Sequence, residues 1–293
     1  PKRVIEEVVI LSDKKEEHEI FECKDIRNKD DVVKTLLSSG LWPLIRQKPY
    51  SVIPDPNDIP KSIFISSFDS SPLAPYYNFI LKDNEDDFQN GIDIISRLTK
   101  GKVYLNIDAN SDQHNIFNNI TGVVKSVFSG PHPSGNVGVQ IHHIKPINKG
   151  DKVWYINPQD VITISRLFRS GKVNPFKTIA ITGSDVVAPK YIKTRIGSSV
   201  KELLENKLKS NKSRVISGNI LTGKNVTING FVGFYDSQIT VIPEGDNHRF
   251  FGWLFPGKDI FSVSSTFISK FLKNNKFNIN TNKNGENRPF VVS

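Results

Sequence analysis

The chain is 293 residues long, 37% apolar and 24% charged, an ordinary globular composition with enough length for roughly two domains. Its single cysteine, Cys23, excludes an internal disulfide, a cysteine-ligated iron–sulfur cluster and a CxxC zinc site. No apolar run approaches the roughly 20 residues of a membrane-spanning helix, and the formal net charge of +9 is unevenly spread.

Residues 1–100 hold 14 Lys and Arg against 18 Asp and Glu; residues 101–293 hold 25 against 12. The basic later part suits an acidic protein partner, a nucleic acid or an anionic membrane surface. It contains neither an Arg-rich run nor a nucleic-acid-binding motif, so no nucleic acid is expected as a partner. No methionine occurs, as in a segment from inside a longer protein or a sequence written without its modified methionines.

In chain order, residues 2–11 read as a strand with nothing before it to pair with, the last strand of a domain that starts upstream. Asn28 or Asp30 caps a helix from Asp31 to Gly40, with Val32, Val33, Leu36 and Leu37 on one face. Residues 41–60 carry Pro43, Pro49, Pro54, Pro56 and Pro60 and read as an extended segment. Ser62-Ile-Phe-Ile-Ser-Ser67 is a short buried strand. The acidic run at 83–87 suits a helix start, and Phe88, Ile92, Ile95 and Leu98 continue that helix to Gly101. Lys102-Val-Tyr-Leu-Asn-Ile107 is the next strand, and residues 119–128 hold another. Strand, helix, strand at this spacing implies a parallel sheet in Rossmann-like order. The turn after Ile63-Phe-Ile65 reads SSFDSSPLAP, without a glycine. Neither G-x-G-x-x-G nor GxxxxGK[ST] occurs, so the nucleotide fingerprint is missing.

Residues 130–160 read GPHPSGNVGVQIHHIKPINKGDKVWYINPQD. Pro131 and Pro133 fix the backbone on either side of His132, and Gly135 and Gly138 permit positive φ or close approach. Residues 137–144 alternate apolar and polar and read as a strand. On a strand His142 and His143 point to opposite faces, a poor geometry for joint metal ligation, and no Cys or acidic partner is near. Residues 153–156 form a strand that passes through an Asn157-Pro158 turn into a helix over 161–168. Such Pro-Gly clusters are most often plain connections. A rigid loop ahead of packed core also presents groups to a ligand, which makes Pro131, His132 and Pro133 candidate contacts.

From Lys177 the pattern changes. Residues 178–182, 187–196 and 214–217 read as strands, with a helix over 200–208 capped by Ser198 or Ser199. Strand, strand, helix, strand is the order of a β-grasp domain. Residues 239–242 and 249–255 look like further strands. The second of these, Phe250-Phe-Gly-Trp-Leu-Phe-Pro-Gly257, is the most aromatic run in the chain. As a strand it puts Phe251, Trp253 and Phe255 on one face. Core packing is the ordinary fate of such a face; contact with a partner is the other.

Several stretches together resemble the NqrA subunit of the bacterial sodium-translocating NADH:quinone oxidoreductases. They are Ser39-Gly-Leu-Trp42, Asp69-Ser-Ser-Pro-Leu-Ala74, Gly101-Lys-Val-Tyr104, Gly130-Pro-His-Pro-Ser-Gly135, Ile156-Asn-Pro-Gln-Asp-Val161, Arg214-Val-Ile-Ser-Gly218, Leu221-Thr-Gly223, Phe251-Gly-Trp253, Pro256-Gly-Lys258 and Asn284-Gly285. The resemblance implies a Rossmann-like parallel-sheet domain over 21–172 followed by a β-grasp (SLBB-like) α+β domain over 173–256. Residues 1–20 would then be the remnant strand of an N-terminal barrel-sandwich (lipoyl-like) domain, and 257–293 would lead to a C-terminal helical domain, the rest of both lying outside this sequence. It further implies a peripheral subunit on the cytoplasmic face of the bacterial inner membrane, within a six-subunit complex and beside its quinone-proximal membrane subunit. It implies no flavin or iron–sulfur cluster on this chain, NADH and Na+ handled by other subunits, and ubiquinone or menaquinone as a candidate contact. The residues alone leave a different class open, a stand-alone quinone- or flavin-dependent oxidoreductase.

Overall fold

The computed structural model describes residues 8–11, 17–23, 28–111, 116–245, 250–261, 267–272, 277–278 and 280–282. Among them, ten strands form two five-stranded sheets. Helix α1 (Lys29–Ser38) starts at Asn28, whose side chain accepts from Asp31 N while the Asp31 side chain returns the bond, a reciprocal cap. The proline-rich stretch after it is not simply extended. It makes a 3-10 turn at Trp42–Leu44 and then strand β1 (Arg46–Lys48), which pairs antiparallel with residues 153–155.

The first sheet continues with β2 (Ile63–Ser66), β3 (Val103–Asp108), β4 (Val124–Phe128) and β5 (Val153–Tyr155), all parallel to one another, in the order β1-β5-β2-β3-β4. The short helix α2 (Tyr77–Ile80) and the helix α3 (Glu85–Ser96) link β2 to β3. Helix α4 (Val137–Ile144) links β4 to β5, and α5 (Pro158–Ser170) follows β5. Period-two alternation sorts the strands between two cores. Ile63, Ile65, Leu105 and Trp154 face α1, α3 and α5, while Phe64, Tyr104 and Val153 face α4. Helices α3 and α5 pack closely because Gly91 has no Cβ; one placed there would sit 2.5 Å from Val161 O.

The stretch 137–144 is a helix, not the expected strand. Val137, Ile141, Ile144 and the following Ile147 pack together against Phe64 and Tyr104. Their spacing of four and three is helical, and the Asn136 side chain caps the helix by accepting from Gly138 N at 2.9 Å. The apolar-polar alternation was therefore incidental. On this helix His142 and His143 are both exposed.

The second sheet contains β6 (Phe176–Thr182), β7 (Lys190–Arg195), β8 (Ser213–Ser217), β9 (Lys224–Val226) and β10 (Gln238–Pro243), in the order β7-β6-β10-β8-β9. Only β6 and β10 pair in parallel. Helix α6 (Val200–Leu204) covers one face and is shorter than the expected 200–208. This is the mixed α+β order read from the sequence.

Two expected strands are not seen among the described residues. Residues 8–11 carry none, and the rest of the expected strand at 2–7 lies outside the described residues. Residues 250–255 form a turn and a 3-10 helix (Gly252–Leu254). Phe251 and Phe255 are exposed, at 49% and 63%, so no aromatic strand face exists there; the Trp253 side chain lies outside the description.

Candidate functional site

The parallel sheet reverses its winding between β2 and β5. The chain goes from β2 to β3 on one side, and returns through α4 to β5 on the other. In open α/β sheets ligands bind in the crevice at the carboxyl ends of the strands flanking such a reversal. A cleft of about 350 Å³ lies there. Its lining includes Ser66 at the end of β2 and Phe68 after it, and Tyr155 at the end of β5 and Asn157 after it. Arg46 and Lys48 of β1 form one wall, His132 and the first turn of α4 another, and Asn219, Thr222 and Tyr235 of the second sheet's loops close it over.

The loop at 130–135 is clamped onto the turn after β2. Gly135 N donates to Ser70 Oγ at 2.8 Å, and the single Ser66 Oγ proton is shared between Phe68 O at 2.8 Å and Gly135 O at 3.2 Å. A Cβ at Gly135 would lie 2.4 Å from Ser70 N, so only glycine permits the approach. Behind the loop Gln140, fully buried, donates to Ser66 Oγ at 2.9 Å and Ser134 O at 3.1 Å, and accepts from Asn106 Nδ2 at 2.8 Å. The turn where a dinucleotide fold keeps its glycines is thus filled by protein.

His132 sits at the rim. Its Nδ1 is 3.1 Å from Ser70 Oγ, which raises the question of a nucleophile and base. A catalytic imidazole is oriented by a third group, and among the described residues no carboxylate bonds to His132. Ser70 Oγ already accepts from Gly135 N. The pair ties the loop down.

The floor is buried and polar. Tyr77 OH accepts from Asn157 Nδ2 at 2.6 Å and lies 3.5 Å from Ser237 Oγ. Burial pushes its hydroxyl up to about 12, against the pull of the Ser237 and Asn157 bonds. Asp160, in the first turn of α5, is 6% exposed. Burial pushes its carboxyl up, opposed by Lys177. On the wall, burial and then the Arg46 charge pull Lys48 down. The arrangement offers binding and proton donation, with no activated nucleophile.

Of the residues singled out from the sequence, His132 lines this cleft, with the exposed Pro131 and Pro133 beside it in the loop. Phe251, Trp253 and Phe255 are not among its lining residues. Sequence reasoning missed Arg46, Lys48, Tyr77 and Asp160. The Asn157-Pro158 helix start could have flagged Asp160, since a carboxylate in a first turn usually serves the dipole.

Comparison with known proteins decides the family. The profile of the NqrA second alpha/beta domain matches residues 27–173, and that of the NQRA C-terminal domain matches 178–227. The chain belongs to the NqrA family. The NqrA subunit of the Na(+)-translocating NADH-quinone reductase of Tolumonas auensis is 37% identical over 265 residues, covering 90% of this chain and 59% of the relative. Its counterparts of the same name from Neisseria meningitidis serogroup B and Vibrio alginolyticus are 37% and 36% identical, over 99% of this chain and 66% of theirs. The chain thus spans about three-fifths of the first of these NqrA relatives. Among solved structures, an NAD+-reducing [NiFe]-hydrogenase in the air-oxidized state superposes with a TM-score of 0.54 at 10% identity, covering 74% of this chain and 47% of that one. At that identity the NqrA chain shares the fold alone. The family read from the scattered motifs is confirmed, as is a parallel-sheet α/β domain followed by an SLBB domain.

Proposed function

We propose that this chain supplies two domains of the NqrA subunit of a sodium-translocating NADH:quinone oxidoreductase. In that reading it is a peripheral subunit on the cytoplasmic face of the bacterial inner membrane. The observation that carries it is the collinear identity of 36–37% over 90–99% of the chain to relatives of that name. No described helix is long and apolar enough to cross a membrane, which supports a protein that docks rather than spans. Its partners are the other subunits of the six-subunit complex, the quinone-proximal membrane subunit first. NADH and Na+ are handled elsewhere, and this chain carries no flavin or iron–sulfur cluster. The filled turn after β2 and the lone Cys23 support that division of labour. Ubiquinone or menaquinone, being apolar, suits the exposed Phe251 and Phe255 better than the cationic cleft.

The test is genetic. Deleting the gene should abolish Na+-stimulated quinone reduction by NADH in membrane vesicles, and the gene supplied in trans should restore it. Vesicles that keep full activity without the chain overturn the reading. The purified chain should show no flavin band in a visible spectrum; a bound flavin would point to an oxidoreductase acting alone.

A further inference from the structure

Several cations of the described residues are ion-paired with a carboxylate. Asp87 serves Arg166 and Arg169, Glu244 serves Arg214, Asp151 serves Lys61 and Asp58 serves Lys152. The switch-point cleft is different. Arg46 and Lys48 are alternate residues of β1 and face the same way. Both are half-buried, and among the described residues neither makes an ion pair. Arg46 Nε donates to Ser51 O at 2.9 Å, and its guanidinium stacks 4.0 Å from the Tyr235 ring. Lys48 Nζ donates to Ser51 Oγ at 2.7 Å and lies 5.5 Å from the Tyr155 ring centre. These partners are neutral.

A third positive element meets them. A Cβ placed on Gly138, in the first turn of α4, would lie 3.9 Å from Lys48 Nζ. A cation at a helix N-terminus is electrostatically adverse, as is a second cation two residues away. Three positive elements converging on one concavity cost free energy in the empty protein. A bound anion offsets that cost.

The carboxyls of the cleft do not supply that anion. Asp69 is exposed on the turn after β2, and its Oδ1 accepts from Ser71 N at 2.8 Å. Asp160 is buried in the floor, where the Lys177 charge opposes the rise that burial imposes on its carboxyl. The size of the cleft is near the lower end of small-molecule sites.

We propose that this cleft binds a small anionic metabolite, its carboxylate or phosphate head held between Arg46, Lys48 and the first turn of α4. The proposal stands apart from the family assignment, which rests on sequence identity.

The test uses the full chain and calorimetry. Inorganic phosphate and citrate are titrated separately in buffers of equal ionic strength. Saturable binding of either supports the site and tells which head group it prefers. An R46Q/K48Q double variant should weaken that binding roughly tenfold or more, while K201Q/K224Q, on exposed residues, should leave it unchanged. Absence of saturable binding by both anions overturns the proposal, as does a double variant that binds as well as the parent. Should the double variant fail to fold, amine acetylation of the parent decides. Saturating anion is expected to slow modification of Lys48 several-fold relative to Lys201, and equal slowing of the two overturns the site.

Discussion

Two stretches rich in special residues, 130–135 and 250–255, end up in opposite circumstances. The first is held by polar groups from other elements. Ser66, Ser70 and Gln140 all reach it, across separations of 6 to 69 residues. The second bonds to its own neighbourhood: Leu254 N donates to Phe251 O at 2.9 Å, and the Phe250 and Phe251 rings meet at 4.3 Å. Phe251 sits at φ 49°, a left-handed conformation that a bulky residue adopts at a cost. Aromatic content did not bring burial; long-range polar clamping did bring order. Side chains with two or more hydrogen-bonding atoms specify where a loop goes, whereas apolar rings specify only that they seek cover.

The sharpest way to break that contrast is Gly135→Ala. Its Cβ would meet the Ser70 amide at 2.4 Å and Asp69 C at 3.0 Å. These are backbone atoms, so the loop must lift from β2, at about 2–3 kcal/mol by the usual cost of overpacking. Urea denaturation measures it. A loss below roughly 0.5 kcal/mol, the range of ordinary surface changes, would show the clamp to be loose.

Gln140→Ala comes next. It removes the acceptor of Asn106 Nδ2 in a fully buried setting where Asn106 Oδ1 already lacks a partner. The expected cost is about 2 kcal/mol, read from the same denaturation curves. A neutral result would mean that water replaces the amide.

Asp160 gives a smaller effect with a distinctive pH dependence. Its folded carboxyl lies above the ordinary aspartate value of 3.8. The folded state therefore holds a proton that the unfolded state releases, and stability falls as pH rises from that value towards the raised one. Asp160→Asn should remove this slope and be no less stable than the parent at neutral pH. Parallel slopes for the two proteins would show that Asp160 is ionised in the folded state.

His132→Ala is expected to change stability by no more than about 0.5 kcal/mol, since it removes one hydrogen bond at an exposed rim. Under the proposed docking role its effect should appear in assembly of the complex, followed by co-purification of the other subunits. Unfolding of the variant would make His132 a core residue and end its reading as a contact.

These residues also show how much could be read in advance. The β2–α3–β3 unit was legible because buried parallel strands are apolar throughout and α3 opens on acidic residues. Helix α5 was legible from Asn157-Pro158. Helix α4 was not, because Val137-Gly-Val-Gln-Ile satisfies both periods until Ile144 and Ile147 are counted. Strand β1 was hidden for another reason: Arg46-Gln47-Lys48 is a polar edge strand, held by register with β5 rather than by an apolar face. The cleft's cations and Asp160 come together only in three dimensions, from segments far apart in sequence, so no local pattern announced them.

The smallest expected effect tests the other half of the contrast. The double variant Phe251→Ser, Phe255→Ser replaces two rings exposed at 49% and 63% in a 3-10 turn. Rings that exposed contribute little to folding, and the left-handed backbone at Phe251 is no harder for serine, so stability should move by less than about 0.5 kcal/mol. Solubility should rise, because an exposed apolar patch drives self-association. If the rings dock on a membrane partner, the same variant should co-purify less of that partner, since truncating a central anchor of an interface commonly costs about 2 kcal/mol. The two measurements separate the causes. Lost stability would mean that the rings pack within the chain, and unchanged assembly would mean that the basic surface of the later half carries the contact instead.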